Sequence, residues 1–176
     1  MPTIRLAKET DLSTVARLEV QLYSNPWQPG TFRSLQGKER VRILVADHPQ
    51  DGVVGYAVFW WVMDQAELAN LAVAQGHQGR GIGAALLDRV LQEASSLGVK
   101  SIFLEVRESN ESARRLYSTR GFGQVSVRRG YYQNPREDAR VLMRPLGISS
   151  VGNNGESPGT AGDAGGKDGK PTGKHL

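Results

Sequence analysis

Apolar positions recur along the chain in two rhythms. Leu12, Val15, Ala16, Leu18 and Leu22 fall three and four apart, which predicts one face of a helix, with Thr10 placed to cap it. Ile82, Leu86, Val90, Ala94 and Leu97 repeat that spacing up to Gly98, a left-handed terminator followed by apolar Val99. A third helix is expected after Ser109 or Asn110, with Ala113, Leu116 and Tyr117 inward and Gly121-Phe122 at its end. A short helical piece is expected at 31–35. The second rhythm belongs to strands, expected at 3–6 with Ile4 and Leu6 inward, and then at 41–46, 53–63, 66–73, 101–106, 123–129 and 139–144. His48-Pro49-Gln50-Asp51-Gly52 reads as a hairpin turn, and Asn25 to Gly30 as a break after the first helix. The strand–helix–strand passage over 66–106 predicts two parallel neighbours joined by a right-handed crossover.

Composition changes this picture at one end. Nine of the 21 glycines lie in the last 30 residues, with two prolines and three acids against three lysines. Such a segment buries too little apolar surface to offset its ordering entropy, so 147–176 is expected to be a disordered tail and 1–146 one domain. The net charge of +4 then resides in the domain. No block of consecutive Lys and Arg marks a strong nucleic-acid site. The absence of cysteine removes disulfides, thiolate nucleophiles and cysteine metal centres, and fits a cytoplasmic location. No apolar run reaches the ~18–20 residues of a membrane span, so no membrane partner is expected.

The most informative stretch joins a buried-strand run, Leu68 to Val73, to the long helix. Gly79, Gly81 and Gly83 open that helix at every second position. Helix-start N–H groups without internal acceptors, approached with no Cβ in the way, suit a phosphate or diphosphate. A nucleotide-hydrolase loop would need Lys-Ser or Lys-Thr after its last glycine, and Ala84-Ala85 stands there. Gly79, Gly81 and Ala84 fit the dinucleotide spacing, with Glu105 downstream. That fold, however, turns directly after its strand, and here five residues separate Val73 from Gly79.

Gln78-x-x-Gly81-x-Gly83 after Leu-Ala-Val resembles the acetyl-CoA pyrophosphate motif of the GCN5-related N-acetyltransferases. Four further stretches resemble the ribosomal-protein-alanine N-acetyltransferase (RimI) family within that superfamily. They are Asn25-Pro26-Trp27 with Phe32, then Leu104 to Asn110, then Leu116-Tyr117 with Gly121-Phe122, then Arg128 to Tyr132 with Arg136 to Ala139. The resemblance spans about 3–146. It implies a mixed α/β fold, a seven-stranded, largely antiparallel sheet splayed near its middle and flanked by about four helices. It also implies acetyl-CoA as co-substrate, no metal, and a protein N-terminal α-amine as acceptor. The acceptor it points to is the N-terminal alanine of the eighteenth small-subunit ribosomal protein, which would bring the enzyme near the ribosome. A small-amine acetyltransferase and a non-catalytic acetyl-CoA-binding or ribosome-associated module stand as alternatives.

Residue by residue, the resemblance assigns proton acceptance to Glu105 and proton donation to the leaving thiolate to Tyr117. On spacing alone Glu105 is an acid on the strand face shared with Phe103, either wet or paired with an arginine such as Arg107, and Tyr117 is a packed aromatic. Gly79, Arg80, Gly81, Ile82, Gly83 and Ala84 would hold the diphosphate. Backbone at Leu71, Ala72 and Val73 would bond the pantetheine arm, and Asn110 would touch the cofactor while capping its helix. Trp27, Tyr131 and Tyr132 are placed in loops, either packed beneath them or bordering an acceptor groove. Glu19, Arg128 and Arg129 read as solvated charges or as contacts to peptide or ribosomal RNA, and His77 as a turn residue. The sequence departs from the family pattern at Gly79, where a larger polar residue is common, and at Gly130, where asparagine is frequent.

Overall fold

The computed structural model describes residues 1–147 and, by backbone alone, residues 174–175. Strand β1 (Thr3–Leu6) leads to helices α1 (Leu12–Leu22) and α2 (Pro29–Leu35). Strands β2 (Val41–His48), β3 (Gly52–Val62) and β4 (Gln65–Val73) follow as an antiparallel meander. Helix α3 (Ile82–Ser96) crosses to β5 (Ser101–Arg107). Helix α4 (Glu111–Thr119) then precedes the hairpin β6 (Gly123–Tyr132) and β7 (Glu137–Pro145). The main sheet runs β1-β2-β3-β4-β5-β7-β6, antiparallel except between β4 and β5. These seven strands and four helices are the fold that the sequence predicts.

Two hydrophobic clusters sandwich the sheet. Ala57, Phe59 and Trp61 of β3 join residues of α3 and α4 in one. Tyr56, Val58 and Trp60 join residues of α1 and α2 in the other. The strand is therefore buried on both faces, which explains its unbroken run of apolar and aromatic residues. Pairing of β3 with β4 shifts between Val58 and Phe59, where Asn70 and Leu68 are the partners and Ala69 is the extra residue. Such a bulge re-aims side chains, and Asn70 here reaches α1, donating to Glu19 Oε2 at 2.8 Å.

Local details differ from the pattern-based expectations. Leu6 is exposed, because β1 is an edge strand with only β2 beside it. Thr10 does not cap α1. A 3-10 turn at Glu9–Asp11 precedes the helix, and Asp11 accepts the Lys8 N–H at 2.7 Å while ion-pairing with Arg5 at 2.7 Å. Hydrogen bonding to Arg5 is the main force holding the Asp11 carboxyl below the usual aspartate range. Strand β6 continues to Tyr132, leaving only 133–136 as the connection to β7. Most of the expected tail lies outside the described residues. At its end β8 (Lys174–His175) pairs in parallel with β4 at Asn70 and Leu71.

Candidate active site

The site begins where β4 stops. A 3-10 turn at Gln75–His77 leads into Gln78, whose side-chain amide donates to Val73 O at 2.9 Å and ties the loop to the strand end. Gly79 and Gly81 take φ of +72° and +80°, where a side chain is strained. A Cβ on Gly81 would meet nothing within 4 Å, so glycine is required there by conformation, and no side chain fills the turn. Gly83 lies against Leu71, Val73 and Leu116, seating the start of α3 on the core. The Ala85 N–H donates to Gly81 O at 3.0 Å. By helix geometry the N–H groups of Ile82, Gly83 and Ala84 then have no intrahelical acceptor. They could cradle an anion, and Arg80 beside them is exposed.

Beside the cradle the sheet opens. β4 and β5 pair only through Gln65↔Ser101, Ala66↔Ile102 and Glu67↔Phe103, whereas β5 and β7 stay paired from Ser101 to Arg107. Leu71, Ala72 and Val73 thus lie on an arm of β4 that β5 has left. The Tyr23 hydroxyl donates to Leu71 O at 3.0 Å.

Glu105 lies two residues past the last β4–β5 pair. Ile102, Leu104 and Val106 are buried on one face of β5, and Glu105 is on the other with its side chain 12% exposed. It pairs with Arg128, Nε to Oε1 at 3.1 Å. Arg107 instead reaches Glu137 at 3.3 Å and lies 4.3 Å over the Tyr132 ring. Tyr131 also hydrogen-bonds Glu105; burial first, and this bond second, push its phenol up. Tyr117 is fully buried, its ring 5.6 Å from Phe122, and burial pushes its phenol up, with Tyr132 adding to the shift. Tyr132 feels Glu105, and Tyr23 feels Glu19, Tyr117 and Tyr132. Tyr132 thus interacts electrostatically with both Glu105 and Tyr117.

Asn110 caps α4: its Oδ1 accepts the Ala113 N–H at 3.1 Å. Trp27 is buried, stacked 6.3 Å from Trp60 and 5.5 Å from Phe32, so it packs beneath its loop. Tyr131 and Tyr132 belong to the end of β6 rather than to a loop, with ring centroids 5.1 Å apart. Gly130 takes φ of +59°, a conformation asparagine tolerates better than most residues. Its N–H donates to Asp138 at 2.8 Å. Arg129 is exposed and pairs with Asp138.

Glu19 overturns its reading as a surface charge. It is fully buried, and its carboxylate accepts the Trp27 N–H and the Asn70 amide, each at 2.8 Å, and the Tyr56 hydroxyl. One sequence signal hinted at this: Glu19 shares a face with Val15 and Leu12, four and seven positions earlier.

A family model described as "Acetyltransferase (GNAT) family" matches residues 12–122. The [Ribosomal protein bS18]-alanine N-acetyltransferase of Escherichia coli K12 is 34% identical over 150 residues, covering 84% of this chain and 100% of the relative. The enzyme of that name from Salmonella typhimurium is 35% identical over 151 residues, with the same coverage. The crystal structure of the Escherichia coli ribosomal-protein-S18-alanine N-acetyltransferase superposes with a TM-score of 0.78, covering 88% of this chain and 99% of that one. Arabidopsis thaliana NAA60 in complex with acetyl-CoA, 18% identical, shares the fold with a TM-score of 0.75 over 83% of this chain and all of that one. An open anion cradle, a parted sheet and this degree of likeness agree: the chain belongs to the GCN5-related N-acetyltransferases and, within them, to the ribosomal-protein-alanine N-acetyltransferase family.

Proposed function

We propose that the protein transfers acetyl from acetyl-CoA directly to a protein N-terminal α-amine, and that its acceptor is the N-terminal alanine of ribosomal protein bS18. The acceptor comes from the names of the relatives. The mechanism rests on the resemblance that assigns Glu105 and Tyr117 their roles, and on one observation: β5 leaves β4 after Phe103, so Glu105 lies two residues beyond the last β4–β5 pair.

In this reading the N–H groups at Gly79 to Ala84 grip the CoA diphosphate and Arg80 adds charge at the rim. Asn110 contacts the cofactor from the start of α4. Backbone groups at Leu71, Ala72 and Val73 align the pantetheine arm and polarise the thioester carbonyl. A terminal α-amine has a pKa of ~7.7–8.0, so near neutrality much of it must lose a proton before it can attack. Glu105 accepts that proton, directly or through a water. The amine nitrogen bonds to the carbonyl carbon, the C–S bond breaks, and Tyr117 protonates the departing sulfur. A phenol is protonated at neutral pH, which a donor to a thiolate needs.

The test is an acceptor panel. Peptides beginning with Ala, Ser, Met or acetyl-blocked Ala, a peptide whose only amine is an internal lysine, and spermidine are each incubated with acetyl-CoA and weighed by mass spectrometry. A single acetyl addition to the free-Ala peptide, with none on the blocked one, is expected. Preferential labelling of the lysine peptide or of spermidine would overturn the acceptor assignment.

A further inference from the structure

The turn between β2 and β3 and the turn after β4 carry chemistry that acetyl transfer does not use. Because β3 runs antiparallel to both neighbours, these two turns lie at the same end of the sheet, and the Ala74 N–H donates to Val54 O at 2.8 Å. That brings His48, Asp51 and His77 together across a gap of 26 residues in sequence. His48 Nδ1 lies 3.0 Å and His77 Nε2 lies 3.5 Å from the same Asp51 oxygen. The three ligand-type atoms lie within 4.8 Å of one another, and the imidazole rings are 5.2 Å apart at 63°. Two of the chain's three histidines are in this cluster.

We infer that His48, Asp51 and His77 form a site for a divalent transition-metal ion, with Zn2+ the best fit. Zinc bonds imidazole nitrogen and carboxylate oxygen at ~2.0–2.2 Å, so tetrahedral donor atoms sit ~3–4 Å apart. Both carboxylate–imidazole separations already fall in that range, and the two rings close on the ion with a shift of less than ~1 Å. Two imidazoles and one carboxylate favour zinc, copper or nickel over magnesium or calcium, which prefer all-oxygen sets. His77 is mostly enclosed, at 17% exposure, while Asp51, at 52%, leaves the fourth position open to water. The ion would pin the β2–β3 turn to the segment that runs directly into Gln78 and the cradle. Ligands from two turns anchored by three strands need only small side-chain shifts to take the ion.

The test uses the untagged full-length chain, stripped with a chelator and titrated with ZnCl2 by calorimetry, with Co2+ substituted for its visible spectrum. It needs no acetyl-CoA, so its outcome is independent of the acetyl-transfer reading. One ion per chain is expected, with a Tm that climbs as Zn2+ rises and a Co2+ spectrum of tetrahedral type. H48A, H77A and D51N should each weaken binding by about tenfold or more, with circular dichroism showing that the fold persists. H48Q and H77Q, which keep a hydrogen-bonding group but ligate poorly, should do the same. H175A, changing the remaining histidine, should bind as the parent does. No saturable uptake up to about 1 mM Zn2+, or uptake that survives H48A and H77A and disappears in H175A, would overturn the assignment.

Discussion

Two carboxylates flank the parted sheet, and their surroundings are opposites. Glu19, on α1, is sealed among a backbone N–H, a tyrosine hydroxyl and an amide, all of them neutral donors fixed by the core. Glu105, on β5, faces an exposed arginine and a tyrosine at the strand end, and solvent reaches it. A group that must take up and release protons at every turnover needs an exchange route and a modest change in its surroundings. Glu105 has both. Glu19 is built to stay as it is: it holds α1, the Trp27 turn, β3 and β4 in register from one point.

If this contrast is correct, the two acids fail differently when removed. Glu105→Gln should lower kcat by ~10²–10⁴-fold, the range for loss of a general base, while acetyl-CoA binding and Tm barely move; steady-state kinetics and calorimetry decide. Tyr117→Phe should follow with a loss on the order of 10²-fold. A rate unchanged in either variant removes that role.

Glu19→Ala should show the reverse. It leaves three buried donors without their acceptor, at ~1–3 kcal/mol each, and should lower Tm by roughly 10 °C or more, with a smaller effect on turnover measured well below the new Tm. A Tm within a degree or two of the parent would mean that the network contributes no stability.

Alkaline pH sharpens the comparison further. Burial is the main reason the phenols of Tyr23, Tyr56 and Tyr117 are pushed up from 10.0. Below that value both the folded and the unfolded chain keep these protons, and the contribution to stability is full. Above it the unfolded chain releases them while the folded one does not, so stability falls as pH rises towards the folded values. Urea midpoints should therefore drop between about pH 9 and pH 11, and tyrosinate absorbance should appear together with unfolding. Tyr56→Phe should reduce that pH dependence.

The smallest effect concerns the end of the chain. β8 pairs with β4 at Asn70 and Leu71, beside the backbone that the proposed pantetheine contacts use. A chain ending at Gly147 should keep its Tm and lower its KM for acetyl-CoA by about two- to fivefold, equivalent to one net hydrogen bond of ~0.5–1 kcal/mol. A higher KM would mean that the segment supports the site.

Periodicity and punctuation made most of this architecture legible in the sequence. The faces of α1 and α3, the glycine-opened cradle, the parallel β4–β5 crossover and the Gly98 and Gly121 helix ends are local features, fixed by spacing and by which residues tolerate a positive φ. Glu105 and Tyr117 stood out as candidates by resemblance, and the side of β5 that Glu105 occupies followed from strand alternation. The partners of these residues were not legible. Arg128 lies 23 positions from Glu105 and meets it only because β7 pairs with both β5 and β6. The burial of Glu19 depends on a bulge at Ala69 that turns Asn70 towards α1. His48, Asp51 and His77 meet because two turns share one end of the sheet.

The order of strands and helices and the glycine-opened start of α3 were thus written into the chain itself, because each depends on neighbours within a few residues. Which charge meets which, which acid is sealed and which stays wet, and where two histidines converge were settled only in three dimensions. Strand register and bulges set those distances, and both come from long-range pairing that no local pattern encodes.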